Sequence, residues 1–388
     1  MRHRIEKKKF KNKPKREELH FMNTQKVSYF TLEGTYEEIG KQLARRTNKD
    51  EMMQKAPDFF SEDVWEEAIE LYTTYCPGLL EELQGYADEL KVNKKDLAYM
   101  WMTYLLPHCS GLVINGELLE DKSSKIFRNY EFSIEDEDFT VCHTKPKGKY
   151  AHIGGGIAVF GRTEGINECG LAVSMSSCGF PVSNLEGMRM PQIKGLQFWA
   201  VIRSILENCK DVKEALEYIL RIPIAFNINL YIADEQGNGA LIETMDGKVA
   251  VEEISNRSLK KYLCGTNHIV IKEFQKQEPY AMKNSVVRLE NLQAFVEGKK
   301  VLEEEKMKDF FLKEYPEGMS AHYYTDWFGT VKTVLLDTKK RSYEICWLGE
   351  KENGWEKYLV DEKYTDTENE KKYKIKKADM ELFQQVSL

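Results

Sequence analysis

The residue with the most chemistry to offer is Cys109, in Leu105-Leu106-Pro107-His108-Cys109-Ser110. A cysteine thiolate is a nucleophile, so a lone Cys at a junction is a candidate for nucleophilic chemistry. Pro107 cannot continue a helix, so the segment reads as a loop leading into a strand. On spacing alone, such a Cys is more often a small buried hydrophobe than a nucleophile. Other chemistries find less support. The seven His include no HExxH, and His143 and His152 stand too far apart to share one helical face, which argues against a His-based metal site. Gly154-Gly155-Gly156 lacks the Lys-Ser/Thr of a phosphate loop and the spacing of a dinucleotide fingerprint, and reads as a tight strand turn. No GxSxG elbow is present. Eight Cys with no CxxC pair suggest neither a disulfide framework nor a zinc site.

The elements that must position Cys109 change character at that residue. Before it, Val27 to Leu32 reads as a short strand. Thr35 then caps a helix through Arg46, with Glu38 at the capping-box position. Ser61 to Tyr75 reads as a helix ended by Pro77-Gly78. Leu79, Leu80, Leu83, Tyr86, Ala87 and Leu90 share one helical face, and a third helix runs from about Lys95 to Leu106. After it, strands are expected over Ser110–Asn115, Lys125–Phe132, Ile157–Gly161 and Gly170–Ser177. Helices follow over Gly195–Asn208 and Val212–Arg221, then a strand pair, Asn227–Ala233 and Ala240–Glu243. A helical, charged stretch covers roughly 284–313. The last strands expected are Gly329–Leu336 and Arg341–Trp347, and beyond Glu356 the chain is mostly charged. This order predicts an α+β fold rather than a regular βαβ alternation.

Composition narrows the class. The chain has 388 residues, with 56 Lys+Arg against 63 Asp+Glu, so 56 − 63 gives −7, and 42% hydrophobic residues. That is globular composition, and its acidic balance disfavours a nucleic-acid partner. The longest apolar run, Leu97–Leu106, is far short of the ~20 residues that span a bilayer. No signal-peptide pattern opens the chain, so a soluble cytoplasmic protein without stable membrane insertion is expected. The first 18 residues carry nine Lys/Arg against three Glu and read as a basic, disordered tail.

Around Cys109 stands an ordered set of motifs. Phe127-Arg128-Asn129-Tyr130-Glu131-Phe132 comes first, then Glu164-Gly165-Ile166-Asn167-Glu168-Cys169-Gly170-Leu171-Ala172 and Asn227-Ile228-Asn229-Leu230-Tyr231-Ile232-Ala233-Asp234. Gly265-Thr266-Asn267-His268, Asn284-Ser285-Val286-Val287-Arg288 and Trp327-Phe328-Gly329-Thr330-Val331 complete it. The set resembles the acyl-CoA:6-aminopenicillanate acyltransferase family of self-processing N-terminal-nucleophile (Ntn) hydrolases, related to penicillin V and bile-salt amidases. The resemblance runs from about residue 28 to 348.

The resemblance implies a four-layer αββα sandwich and a chain that cuts itself between His108 and Cys109. The expected organisation is a tail over 1–22, a mainly helical pro-region over 23–108, a catalytic region over 109–350 and a charged extension over 351–388. The two fragments would stay associated; a homo-oligomer is left open. A terminal thiol has its own α-amine, with a pKa near ~8, as base, so no His is needed. By resemblance, Arg128 favours the thiolate and Glu131, where relatives usually carry Asp, holds the new α-ammonium. Asn229 donates to the oxyanion, with Asn227 as the competing choice and backbone N–H groups near Ser176 and Ser177 as second donor. Arg288 supports the site. His108 replaces the Gly common in relatives; its bulk slows or abolishes cleavage, or its ring assists proton transfer. The implied substrate is a small acylated molecule, with acyl-CoA as a potential co-substrate and neither metal nor tightly bound cofactor. The rival reading is an unprocessed, catalytically silent binding protein with the same fold.

Overall fold

The computed structural model describes residues 23–47, 62–97, 108–179 and 192–388. The N-terminal tail, residues 48–61, residues 98–106 of the expected third helix with residue 107 after it, and residues 180–191 lie outside the described residues. The first elements are β1 (Asn23–Gly34), α1 (Tyr36–Ala44), α2 (Glu62–Tyr75), α3 (Leu79–Leu90), β2 (His108–Ile114), β3 (Lys125–Phe132), β4 (Thr140–Pro146), β5 (His152–Ile157), β6 (Gly161–Asn167) and β7 (Ala172–Ser177). Then follow α4 (Phe198–Asn208), α5 (Val212–Ile219), β8 (Ile228–Ala233), β9 (Gly239–Met245), β10 (Lys248–Ile254), β11 (Tyr262–Gly265), α6 (Lys272–Gln275), β12 (Tyr280–Met282), α7 (Lys283–Val296) and α8 (Glu304–Leu312). The chain closes with β13 (His322–Tyr323), β14 (Phe328–Asp337), β15 (Ser342–Trp347), β16 (Trp355–Leu359), β17 (Thr367–Tyr373) and β18 (Gln385–Ser387).

The fold is α+β, built on two large sheets. One runs β10-β9-β8-β7-β6-β5-β4-β1-β17 and the other β11-β2-β3-β14-β15-β16, with β13 on β14. Pairing is antiparallel except between β1 and β4. Alternation along β2 explains how the sheets are covered. Cys109 and Val113 join one apolar cluster with Val173, Met175, Leu230 and Ile232 of the longer sheet. Leu112 and Ile114 face the other way, onto Leu289 and Leu292 of α7 and Phe311 of α8. Helix α4 lies against β6 and β7.

The capping box forms as expected: Glu38 N–H donates to Thr35 Oγ1 at 3.3 Å, and Thr35 N–H to Glu38 Oε2 at 2.7 Å. Helices α1 and α3 cross in backbone contact, because a Cβ at Gly40 would overlap the Glu82 carbonyl oxygen. That approach sets Glu82 against Arg203 of α4. Arg203 Nη1 donates to Glu82 Oε1 at 2.8 Å and Nε to Glu207 Oε1 at 2.8 Å, and all three side chains are buried. Arg203→Met would leave two buried carboxylates facing each other. It is expected to lower stability by on the order of 3–5 kcal/mol in chemical denaturation.

Two expectations are corrected. Gly154-Gly155-Gly156 is not a tight turn but the interior of β5, and Ile157–Gly161 is not a strand but contains the turn into β6. The reason is space. A Cβ at Gly154 would overlap the Glu164 backbone carbonyl, and one at Gly155 would overlap the Glu164 carboxylate and crowd the buried Lys332 ammonium, so the strand needs glycine there. Beyond Glu356 the charged residues form paired strands: β17 lines up antiparallel against β1 with Lys26 on Glu368 at 2.9 Å. Among the described residues no helix is long and apolar enough to cross a membrane.

Candidate active site

Cys109 is the second residue of β2, opposite Tyr130 of β3, and is fully buried. Arg128, opposite Gly111, shares its face and turns its guanidinium back toward the strand's start. Arg128 Nη2 lies 3.3 Å from Cys109 Sγ and the same distance from Met175 Sδ, while Nη1 donates to the Thr163 carbonyl at 2.8 Å and pairs with Glu164. Burial pushes the Cys109 thiol up to about 12; Arg128 pulls it down and Glu131 pushes it up. Desolvation therefore outweighs the guanidinium, and in the intact chain the sulfur is a thiol at neutral pH.

Glu131 is opposite His108 and faces α7. Its Oε2 is 3.5 Å from Arg288 Nη1, and Thr330 Oγ1 donates to its Oε1 at 3.3 Å. Glu131 is wholly buried, not part of an exposed acidic run. Arg288 Nη1 also donates to the Cys109 carbonyl at 3.2 Å. Its Nη2 donates to Asn267 Oδ1 at 2.6 Å and Asn284 Oδ1 at 2.9 Å, and the guanidinium lies 4.8 Å over the Phe328 ring. One buried arginine thus ties β2, β3, α7 and the segment after β11 around the Cys109 peptide. Half-buried His108 points its ring edge-on to Phe328, with centroids 6.1 Å apart. Burial and then Arg288 push its imidazole down to about 4, so it is neutral at neutral pH.

Across the layer, Asn229 of β8 is opposite Ser176 of β7. Its Nδ2 donates to Ser176 Oγ at 3.1 Å and the Thr266 carbonyl at 2.9 Å, and its Oδ1 is buried without a partner. Ser176 Oγ also contacts Tyr231 Oη at 2.8 Å. Asn227 lies just before β8; its Oδ1 accepts from Asp246 N–H at 3.1 Å, and its Nδ2 is buried without a partner. Asn267 Nδ2 donates to Ser177 Oγ at 3.0 Å, joining the Arg288 side of the site to the Ser176–Ser177 strand end.

Cys109, His108, Arg128, Glu131 and Arg288 are thus in mutual contact or one partner apart, and Asn229 meets them through Thr266 and Asn267. Asn267, Asn284 and Thr330 were missed as site residues, although each stands in a quoted motif. Asn284 carried a readable signal, the i,i+4 spacing to Arg288. The one carboxylate trio close enough to share a cation among the described residues, Asp121, Glu304 and Asp337, already holds the Lys125 ammonium.

Residues 118–352 match the family described as Acyl-coenzyme A:6-aminopenicillanic acid acyl-transferase. The chain belongs to this acyl-transferase family. Arg128, Glu131, Asn229 and Arg288 fall inside the matched span, and Cys109 stands just before it. No curated protein matches the chain. Among solved structures, the conjugated bile acid hydrolase of Clostridium perfringens aligns at 13% identity, over 69% of this chain and 97% of the other, with TM-score 0.42. The penicillin V acylase of Agrobacterium tumefaciens aligns at 17% identity, over 64% and 77%, with TM-score 0.35. The Caenorhabditis elegans N-acylethanolamine-hydrolyzing acid amidase ortholog aligns at 16% identity, over 58% and 92%, with TM-score 0.42.

Burial raises the Glu131 carboxyl from 4.5 to about 7, although Arg288 and Arg128 pull it back. Between those pH values the folded chain holds a proton that the unfolded chain has released. This group's contribution to stability therefore falls as pH rises through that window. Glu131→Gln cannot titrate. In an uncut Cys109→Ala background it is expected to lose less stability than its parent from about pH 5 to about pH 8, by up to about 3 kcal/mol. Parallel stability–pH curves would contradict a titrating, buried Glu131.

Proposed function

We propose that this acyl-transferase family member is a self-processing cysteine amidohydrolase or acyltransferase with Cys109 as nucleophile. The contact of Arg128 with the Cys109 sulfur, at the start of β2, carries the reading. In the first stage Cys109 Sγ attacks the His108 carbonyl. A C–S bond forms, the C–N bond breaks, and the departing amine takes the thiol proton. Water then opens the thioester, leaving a carboxylate on His108 and freeing the thiol and α-amine of Cys109. In the second stage the α-amine takes the thiol proton as sulfur attacks a substrate amide or thioester. Hydrolysis of the acyl-thioester by water gives amidase activity; attack by an amine gives acyl transfer.

On this reading Glu131 holds the new α-ammonium in place, and Arg288 supports the site through Glu131 and the Cys109 carbonyl. Asn229 stabilises the oxyanion once substrate displaces one of its two present acceptors. The chain divides into residues 1–108 and 109–388, with the two sheets between helical layers as an αββα sandwich. The substrate is a small acylated molecule, in keeping with the family's name. One observation favours the silent alternative: both Asn229 Nδ2 hydrogens already have protein acceptors. Incubation with a panel of small N-acyl amides and acyl thioesters, followed by acid quenching, decides between them. A peptide beginning at Cys109 and carrying the acyl mass is expected. An uncut chain that takes up no acyl mass would favour the silent reading, and an added amine acceptor separates transfer from hydrolysis.

A further inference from the structure

The guanidinium that touches the Cys109 sulfur is held from behind by a group to which the roles above assign nothing. Glu164 of β6 is fully buried between the sheets. Its Oε2 pairs with Arg128 Nη1 and accepts from Thr163 Oγ1 at 2.7 Å. Its Oε1 accepts from Tyr343 Oη at 2.8 Å and lies 3.9 Å from Lys332 Nζ, which itself donates to Glu137 Oε1 at 2.9 Å. Arg128 therefore has two sides: Nη1 on a carboxylate and a carbonyl, Nη2 on Cys109 and Met175. A guanidinium is a rigid fork, so the anchor on one side fixes where the other points.

We propose that Glu164 is a positioning residue of this site: it aims the Arg128 guanidinium at the Cys109 sulfur and neutralises most of the positive charge that would otherwise act on the thiol. The inference rests on Cys109 being the nucleophile. The charges around the sulfur pair off. Arg128 and Lys332 face Glu164 and Glu137, and Arg288 faces Glu131 on the other side of β3. Tyr130 lies under both Arg128 and Lys332, with the cations 4.5 and 4.8 Å from its ring centroid, and Tyr231 packs nearby from β8. Although burial acts in the opposite direction, Lys332 and Arg128 hold the Glu164 carboxyl below its ordinary value, so its charge persists at neutral pH. The resting sulfur is thus aimed by the anchored fork and kept protonated chiefly by burial, so it waits for a base and resists premature oxidation.

Aiming and charge balance are separable by substitution. Glu164→Gln keeps an acceptor for Arg128 but removes the counter-charge. The bare guanidinium should then favour the thiolate, moving the pH dependence of Cys109 reactivity down by about one unit. Glu164→Asp keeps the charge but withdraws it by one methylene, so the pH dependence should stay in place while the rate of self-cleavage falls. The readouts are self-cleavage and alkylation of Cys109 by iodoacetamide, the latter followed by peptide mass spectrometry across mildly acidic to mildly alkaline pH. At a fixed neutral pH the Gln variant is expected to alkylate on the order of tenfold faster. A purely structural Glu164 would lower stability or rate in both variants without moving the pH dependence, and that result overturns the proposal. If Glu164→Gln does not fold, a Glu164→Asp protein with wild-type cleavage rate overturns it equally. A Cys109 inert toward alkylation and cleavage in every protein, wild type included, sinks the nucleophile reading and this inference with it. A reactive wild-type Cys109 with unmoved variants sinks this inference alone.

Discussion

Cys109→Ala is expected to leave one uncut chain and no detectable acyl chemistry, whereas Cys142→Ala, Cys169→Ala and Cys178→Ala should still cut. All of these except Cys169 are buried cysteines, so burial does not distinguish them. The difference is what faces the sulfur. Cys109 has a guanidinium nitrogen at 3.3 Å, while Cys142 Sγ has the Thr140 hydroxyl at 3.8 Å. Both thiols are pushed up by burial, but only the one at the head of β2 would gain an α-amine as base after cleavage. Removing the nucleophile of a covalent mechanism removes both stages together, so the loss should reach the uncatalysed rate. Cutting that survives Cys109→Ala would contradict the mechanism.

Asn229→Ala is expected to lower kcat by about 10²–10³ with a smaller effect on KM, the signature of a lost transition-state donor. Asn227→Ala should be milder, because Asn227 Oδ1 is tied to the Asp246 backbone whereas Asn229 bridges Ser176 and the Thr266 carbonyl beside the Arg288 network. Ser176→Ala removes one acceptor of Asn229 Nδ2 and would free a hydrogen for the oxyanion, so it should leave kcat equal or higher. Steady-state kinetics on the three variants checks the order. An Asn227→Ala loss exceeding that of Asn229→Ala would place the oxyanion donor on Asn227, whose Nδ2 is buried without a partner.

Much of the scaffold was legible because its signals are local. The Thr35–Glu38 capping box, the alternation along Ile228–Ala233 and the strand pair around Gly237 depend on neighbours in sequence, and they fold accordingly. The triple glycine misled because its causes are distant: β5 needs glycine where the Glu164 backbone and carboxylate of β6, the Lys332 ammonium of β14 and the Thr140 hydroxyl of β4 crowd it, about which the local sequence is silent. The charged C-terminal residues showed no clear periodicity because β17 is an exposed edge strand, and edge strands carry charge on both faces. At the site, the residue types of Cys109, Arg128, Glu131 and Arg288 stood out within their motifs. Their electrostatics did not. The raised thiol follows from burial on the face of β2 that meets the longer sheet, the raised Glu131 carboxyl from burial on the opposite face against α7, and the Glu164 anchor on Arg128 from pairing between β6 and β3.

An intact-mass spectrum of the purified protein after incubation at neutral pH tests the central claim most directly. The account predicts two masses that sum to the full chain plus one water, the larger fragment beginning Cys109-Ser110-Gly111-Leu112. A single mass equal to the uncut chain, unchanged after prolonged incubation, would contradict it.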